Sequence, residues 1–94
     1  MTYKLLFHKK ALKEWDKIDF KIKEQFKNKL KERLENPRIP KDKLSGFEDV
    51  YKIKLRNAGF RLAYQVKDKE IVVIVLAIGK RENDKIYKLL DSRF

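Results

Sequence analysis

The 94-residue chain contains no cysteine and a single histidine, His8. Without cysteine there is no disulfide framework, no thiol nucleophile and no cysteine-ligated zinc. With one imidazole there is no two-histidine acid/base pair and no multi-histidine metal site within one chain. Neither a metal nor a cofactor is therefore expected. Long apolar runs are missing as well: the longest, Ile71 to Ile78, is far short of the roughly 20 residues that a membrane helix needs. Met1 to Phe7 is apolar only in patches and is broken at once by His8-Lys9-Lys10, unlike a signal peptide. The chain reads as soluble and cytoplasmic. Acidic residues are the last scarcity: 14 Asp and Glu stand against 25 Lys and Arg, for a formal net charge of +11. So large a charge on so small a body favours polyanionic partners: nucleic acid, a ribosome surface or an acidic protein.

The length predicts one domain over 1–94, because two cores would each fall near the lower limit of independent stability. An apolar fraction of 43% argues for a folded chain despite the charge. Tyr3 to Phe7 reads as an opening strand. Leu12, Trp15 and Ile18 then recur at helical spacing, with Trp15 expected in the core beside the other two. Asp19 reads as the N-cap of a second helix whose stripe is Ile22, Phe26, Leu30 and Leu34, ending near Asn36-Pro37. The outer surface of this hairpin would carry Lys21, Lys23, Lys27, Lys29, Lys31 and Arg33. Both prolines fall in the loop over 37–46. Three strands follow, at 51–56, at 60–66 and at 70–79, the last fit for a central position covered on both faces. A closing helix from about Asp84 packs through Ile86, Leu89 and Leu90. His8 reads as a strand-end surface residue with no catalytic role.

Alternation along Tyr51 to Arg56 and Phe60 to Val66 separates an apolar face from a basic one. Keeping Ile53 and Leu55 with Leu62 and Tyr64 requires an even-length loop, and Ala58-Gly59 supplies one. Arg56 then lies opposite Arg61 and Lys54 opposite Ala63, with Lys54 and Arg61 on a diagonal about 7–8 Å apart. Lys52, Lys54, Arg56 and Arg61 crowd one face with no Asp or Glu in that hairpin face to balance them. Charge runs are often solvated faces, but this one also suits a phosphodiester. RNA brings its own nucleophile, the 2′-hydroxyl, so a protein need only remove a proton, stabilise charge and protonate the leaving oxygen. A lysine serves as base when neighbouring cations depress its pKa, and arginine matches phosphate oxygens with paired hydrogen bonds.

Ala11-Leu12-Lys13-Glu14-Trp15, Tyr51 to Arg56, Gly59 to Leu62, Tyr64-Gln65-Val66, Gly79-Lys80-Arg81-Glu82 and Tyr87 resemble the sequence blocks of RelE-type toxins, over nearly the whole chain. The resemblance implies an α+β fold: a compact antiparallel sheet with the N-terminal helical hairpin on one face, a short C-terminal helix, and the active site on the concave other face. It implies the toxin of a type II toxin–antitoxin system, a ribosome-dependent endoribonuclease that cleaves mRNA in the ribosomal A site. The products would be a 2′,3′-cyclic phosphate and a free 5′-hydroxyl. By position, Lys54 matches the general base, Arg81 the general acid or leaving-group stabiliser, Lys52 and Arg61 the phosphate and transition-state contacts, and Tyr87 the aromatic that orients an mRNA base.

Lys9, Lys10, Lys13, Lys21, Lys23, Lys27, Lys41, Lys43 and Arg56 are expected to hold RNA or the ribosome; residues 1–46, with 14 basic and 7 acidic side chains, form the docking half. Ser45 departs from the family, where a further basic residue is expected. The implied partners are a cognate RelB-type antitoxin, acidic and amphipathic, the ribosome with its mRNA, and operator DNA only through the antitoxin. Two alternatives stay open. One is a ParE-like toxin of the same fold that poisons gyrase; the other is a non-catalytic ribosome- or RNA-binding module.

Overall fold

The computed structural model describes residues 2–80 and 85–93. Its elements are β1 (Lys4–Phe7), α1 (Lys9–Lys17), α2 (Phe20–Glu35), β2 (Val50–Leu55), β3 (Phe60–Lys67), β4 (Val72–Lys80) and α3 (Lys85–Asp91), with a 3₁₀ turn at Pro40–Asp42. The four strands form one sheet in the order β1-β4-β3-β2. The expectation of an antiparallel sheet needs one correction. β2, β3 and β4 are antiparallel, but β1 lies parallel to β4, Lys4 beside Val72 and Phe7 beside Val75. The apolar run of β4 is thereby central, and nearly every residue of it is buried. No helix among the described residues is long and apolar enough to cross a membrane.

Each face of the sheet has its own core. On one, Ile53, Leu55, Leu62 and Tyr64 meet Ala11 of α1 and Phe26 and Leu30 of α2. On the other, Val50, Ala63 and Ala77 meet Ile86 and Leu90 of α3. Asp19 caps α2 as expected, its carboxylate accepting the Ile22 N–H at 3.0 Å. α1 is capped by His8, whose Nδ1 accepts the Lys10 N–H at 3.1 Å; the histidine is a cap and not merely a surface residue. The stripe of α1 also differs from expectation. Leu12 is 47% exposed, while Ala11 sits fully buried and Trp15 packs on Phe7 and Phe26, with ring centroids 5.3 and 6.4 Å away. The small Ala11 side chain lets α1 approach β4, which three-residue spacing of large residues does not reveal.

The β2–β3 turn is four residues long, 56–59, and not two: Leu55 pairs with Phe60 and Lys54 with Arg61. The favoured two-residue hairpin turns both need positive φ at the first central position, which would be Ala58, and a Cβ resists it. The longer turn needs it once, at Gly59 (φ 69°), whose N–H bonds to Leu55 C=O at 2.8 Å. Both loops are even, so the faces stay as expected while every cross-strand partner moves by two.

Candidate active site

Alternation from Val50 puts Lys52 and Lys54 on the α3 face of the sheet, and Arg61 joins them beside Ala63. Lys52 stands opposite Ala63 and Lys54 directly opposite Arg61, where the expected register had set Lys54 against Ala63 and Arg56 against Arg61. The correction tightens the cluster, since directly paired Cβ atoms lie about 4.5–5.5 Å apart rather than on a diagonal. Arg61 in turn faces Gly79 of β4. Among the described residues no carboxylate pairs with Lys52, Lys54 or Arg61, and the buried Nε of Arg61 has no hydrogen-bond partner.

Crowded like charges alter the acidity of the most exposed member. The ammonium of Lys54 has its pKa held below the usual lysine value, chiefly by the positive charge of the neighbouring Lys52, then by slight desolvation and by Arg61 and Arg56. This is the direction a general base requires.

Small residues in β3 and β4 bring α3 down onto this face. A Cβ on Gly79 would already touch Leu89 and Lys85 of α3 at 3.6 and 3.7 Å. Tyr87 sits on this helix, half-buried, its ring 6.1 Å from that of Phe47 and tilted by 33°. Phe47 comes from the loop preceding β2, and no pattern in the sequence marks it. Arg81, expected as the general acid, lies outside the described residues.

The other expected RNA contacts are dispersed. Lys9, Lys10 and Lys13 are exposed on α1, and Lys21 and Lys27 on α2, where Lys27 meets Glu24 at 3.6 Å; Lys23 is half-buried. Lys43 is exposed, with its backbone bridged to Tyr51 of β2. Lys41 and Arg56 line a cleft together with Lys52 and Lys54.

Arg33 is the main correction to the basic outer surface. Its guanidinium turns inward and donates to Tyr64 Oη (2.8 Å), to the Lys52 C=O (3.3 Å) and to Asp42 Oδ2 (2.7 Å). Tyr64, fully buried, donates in turn to Pro37 C=O at 2.6 Å. The network ties the end of α2 and the 3₁₀ turn to the backbone of Lys52. Its sequence signal was available: Arg33 falls three residues after Leu30 and seven after Phe26, on the border of the buried stripe.

Comparison with known proteins agrees with this architecture. Residues 5–85 match the family described as ParE toxin of type II toxin-antitoxin system, parDE. The chain is 50% identical to a putative RelE-like toxin protein of Escherichia coli, over 99% of this chain and 98% of that protein. It is 53% identical to the mRNA interferase toxin RelE of E. coli K12, over 93% and 92%. The crystal structure of the isolated E. coli RelE toxin superposes with a TM-score of 0.83 at 49% identity, covering 97% of each chain. The toxin in the E. coli RelBE toxin–antitoxin complex also gives 0.83, at 53% identity, over 86% of this chain and 99% of that one. By sequence over nearly its whole length and by fold, the chain belongs to the RelE-type toxins of the RelE/ParE superfamily.

Proposed function

We propose that the chain is the toxin of a type II toxin–antitoxin pair and an mRNA interferase: a metal-independent endoribonuclease that cuts mRNA in the ribosomal A site, in the cytoplasm, through one domain spanning 1–94. The observation that carries the chemistry is Lys54, set opposite Arg61 and beside Lys52, with its pKa lowered by that company. Lys54 takes the proton of the 2′-hydroxyl, which attacks the adjacent phosphorus. Lys52 and Arg61 hold the phosphate oxygens as charge accumulates. Arg81 stabilises or protonates the departing 5′-oxygen, and Tyr87 orients a base of the codon. The bond from phosphorus to the 5′-oxygen breaks, leaving a 2′,3′-cyclic phosphate and a 5′-hydroxyl. The ribosome supplies in-line geometry, while Lys9, Lys10, Lys13, Lys21, Lys23, Lys27 and Lys43 contribute docking contacts to ribosomal RNA, and Lys41 and Arg56 contacts to RNA beside the site. A cognate RelB-type antitoxin neutralises the toxin, as the E. coli RelBE complex suggests. These cations, and the kinship to an mRNA interferase, favour this reading over gyrase poisoning.

Ribosomes programmed with a chosen A-site codon and read by primer extension test the proposal. Wild type should give codon-specific cuts that Lys54→Ala and Arg81→Ala abolish. An uncut message on stalled ribosomes would refute the nuclease reading.

A further inference from the structure

The basic face continues past the site. A cleft of about 550 Å³ runs along the outer edge of β2, with Lys29 of α2, Lys41 of the 3₁₀ turn and Arg56 of the hairpin turn around it, and with Lys52 and Lys54 shared between cleft and site. Among the described residues, six cationic side chains line it against two carboxylates, Glu32 and Asp42. Asp42 is already neutralised by Arg33 at 2.7 Å, which leaves Glu32 alone against the rest. Lys29, Lys41 and Arg56 are all exposed and, among the described residues, none has an ion-pair partner. The volume falls in the range of small-ligand sites, about 300–1,000 Å³, suited to a short piece of single strand and not to a duplex.

The edge of β2 also bears on the occupant. β2 is the outermost strand, and an open edge would invite a peptide strand. Here the edge is closed over its first half. Leu44 N–H bonds to Val50 C=O at 2.9 Å, Lys43 bridges Tyr51, and Arg33 covers the Lys52 carbonyl. Little main chain remains for a strand to pair with, and what the cleft offers is positive charge.

We infer that this cleft is a second phosphate-binding subsite for single-stranded RNA, in which Lys29, Lys41 and Arg56 hold backbone phosphates of the substrate strand flanking the one at Lys52, Lys54 and Arg61. The inference rests on the ribonuclease reading. It separates Lys41 and Arg56 from general docking and joins them to Lys29. The strand that passes over the site turns round the edge of β2 into the cleft, and the shared lysines make the two sites one track.

The test uses the full chain and a triple variant, Lys29→Gln with Lys41→Gln and Arg56→Gln, beside a charge-retaining control, Lys29→Arg with Lys41→Arg and Arg56→Lys. Binding to a short 2′-O-methyl RNA, which cannot be cleaved, is followed by fluorescence anisotropy across a salt series. Single-strand binding loses about 0.7 in log–log slope per phosphate contact, so the neutral triple variant should flatten the slope by about 2 while the control keeps it. On programmed ribosomes the neutral variant should need at least about tenfold more enzyme for half-maximal cleavage. Its affinity for ribosomes without message should stay near that of wild type. An unchanged salt slope and unchanged cleavage would overturn the subsite and leave the nuclease reading standing. Equal losses with and without message would also overturn it, assigning the cleft to ribosomal RNA. A wild type that never cleaves would overturn the nuclease reading, while the anisotropy arm would still judge the cleft.

Discussion

Removing the carboxylate of Glu14 should cost the fold about 3 kcal/mol, and the structure says why. Glu14 on α1 and Arg93, just after α3, form a two-pronged pair across the end of β4, at 2.6 Å from Nη1 to Oε1 and 2.9 Å from Nη2 to Oε2. Oε1 also accepts the Ile78 N–H at 3.1 Å, and Nη1 donates to Leu76 C=O at 2.7 Å. The Arg93 side chain is 5% exposed and that of Glu14 24%. Deleting one partner of a buried pair strands the other charge and costs about 3–5 kcal/mol; the partial exposure of Glu14 sets the lower end. A domain of this size has about 5–15 kcal/mol in total. Glu14→Ala should therefore lower the urea midpoint by roughly 1–3 M and Tm by roughly 12–24 °C. Glu14→Gln keeps an acceptor for Ile78 and should fall between. In a double-mutant cycle, Glu14→Ala with Arg93→Met should be less destabilised than the two single losses added together, by at least about 1 kcal/mol. A single-variant loss under about 1 kcal/mol, the range of exposed pairs, would refute the reasoning, as would a cycle additive within about 0.5 kcal/mol.

Three further outcomes are expected. A general base works deprotonated, so cleavage should rise with pH through the pKa of Lys54; because the positive charge of Lys52 is the main cause of its lowering, Lys52→Gln should move that limb to higher pH in a pH–rate profile, while Lys52→Arg should hold it in place. Tyr64→Phe leaves Pro37 C=O without its donor and takes one acceptor from Arg33, costing about 1–3 kcal/mol in urea unfolding at neutral pH. Burial raises the pKa of Tyr64, so its contribution is full below the unfolded value of about 10 and lost as pH climbs through the folded one; the variant should lose less stability in alkali than wild type does. Asp19→Ala removes the α2 cap and should cost about 1 kcal/mol, with Asp19→Asn or Asp19→Ser restoring most of it in thermal melts.

Local patterns were the legible part of the fold. Period-two alternation located β2 and β3 and their basic face, and the Asp19 cap with its four-residue apolar rhythm located α2. Long-range pairing was not legible. Nothing near Lys4 announces that its strand lies parallel to β4, and Glu14 finds Arg93 across almost the full length of the chain. Hydrophobic parity fixes which face a residue takes but not the length of an even loop, so the observed register lies two residues from the expected one; the φ that a two-residue turn would demand of Ala58 decides it. Composition assigns Arg33 to solvent, whereas the carbonyl, the phenol and the carboxylate that recruit it come from β2, β3 and the 3₁₀ turn. Lys52, Lys54 and Arg61 could be grouped from alternation alone. Phe47 and the cleft could not, since both depend on how loops fold over the sheet.

The placement of β1 between solvent and β4 bears on when the molecule can exist at all. β1 is made well before β4 and must wait for it, Lys4 for Val72 and Phe7 for Val75, before the sheet closes around its central member. Contacts of such separation slow folding, because the chain loses loop entropy before any pairing is gained. Until β4 has emerged, β3 lacks its inner neighbour and Arg61 has no Gly79 beside it. A chain whose proposed target is the ribosome must thus have its β4 delivered by a ribosome before the site that cuts RNA takes shape.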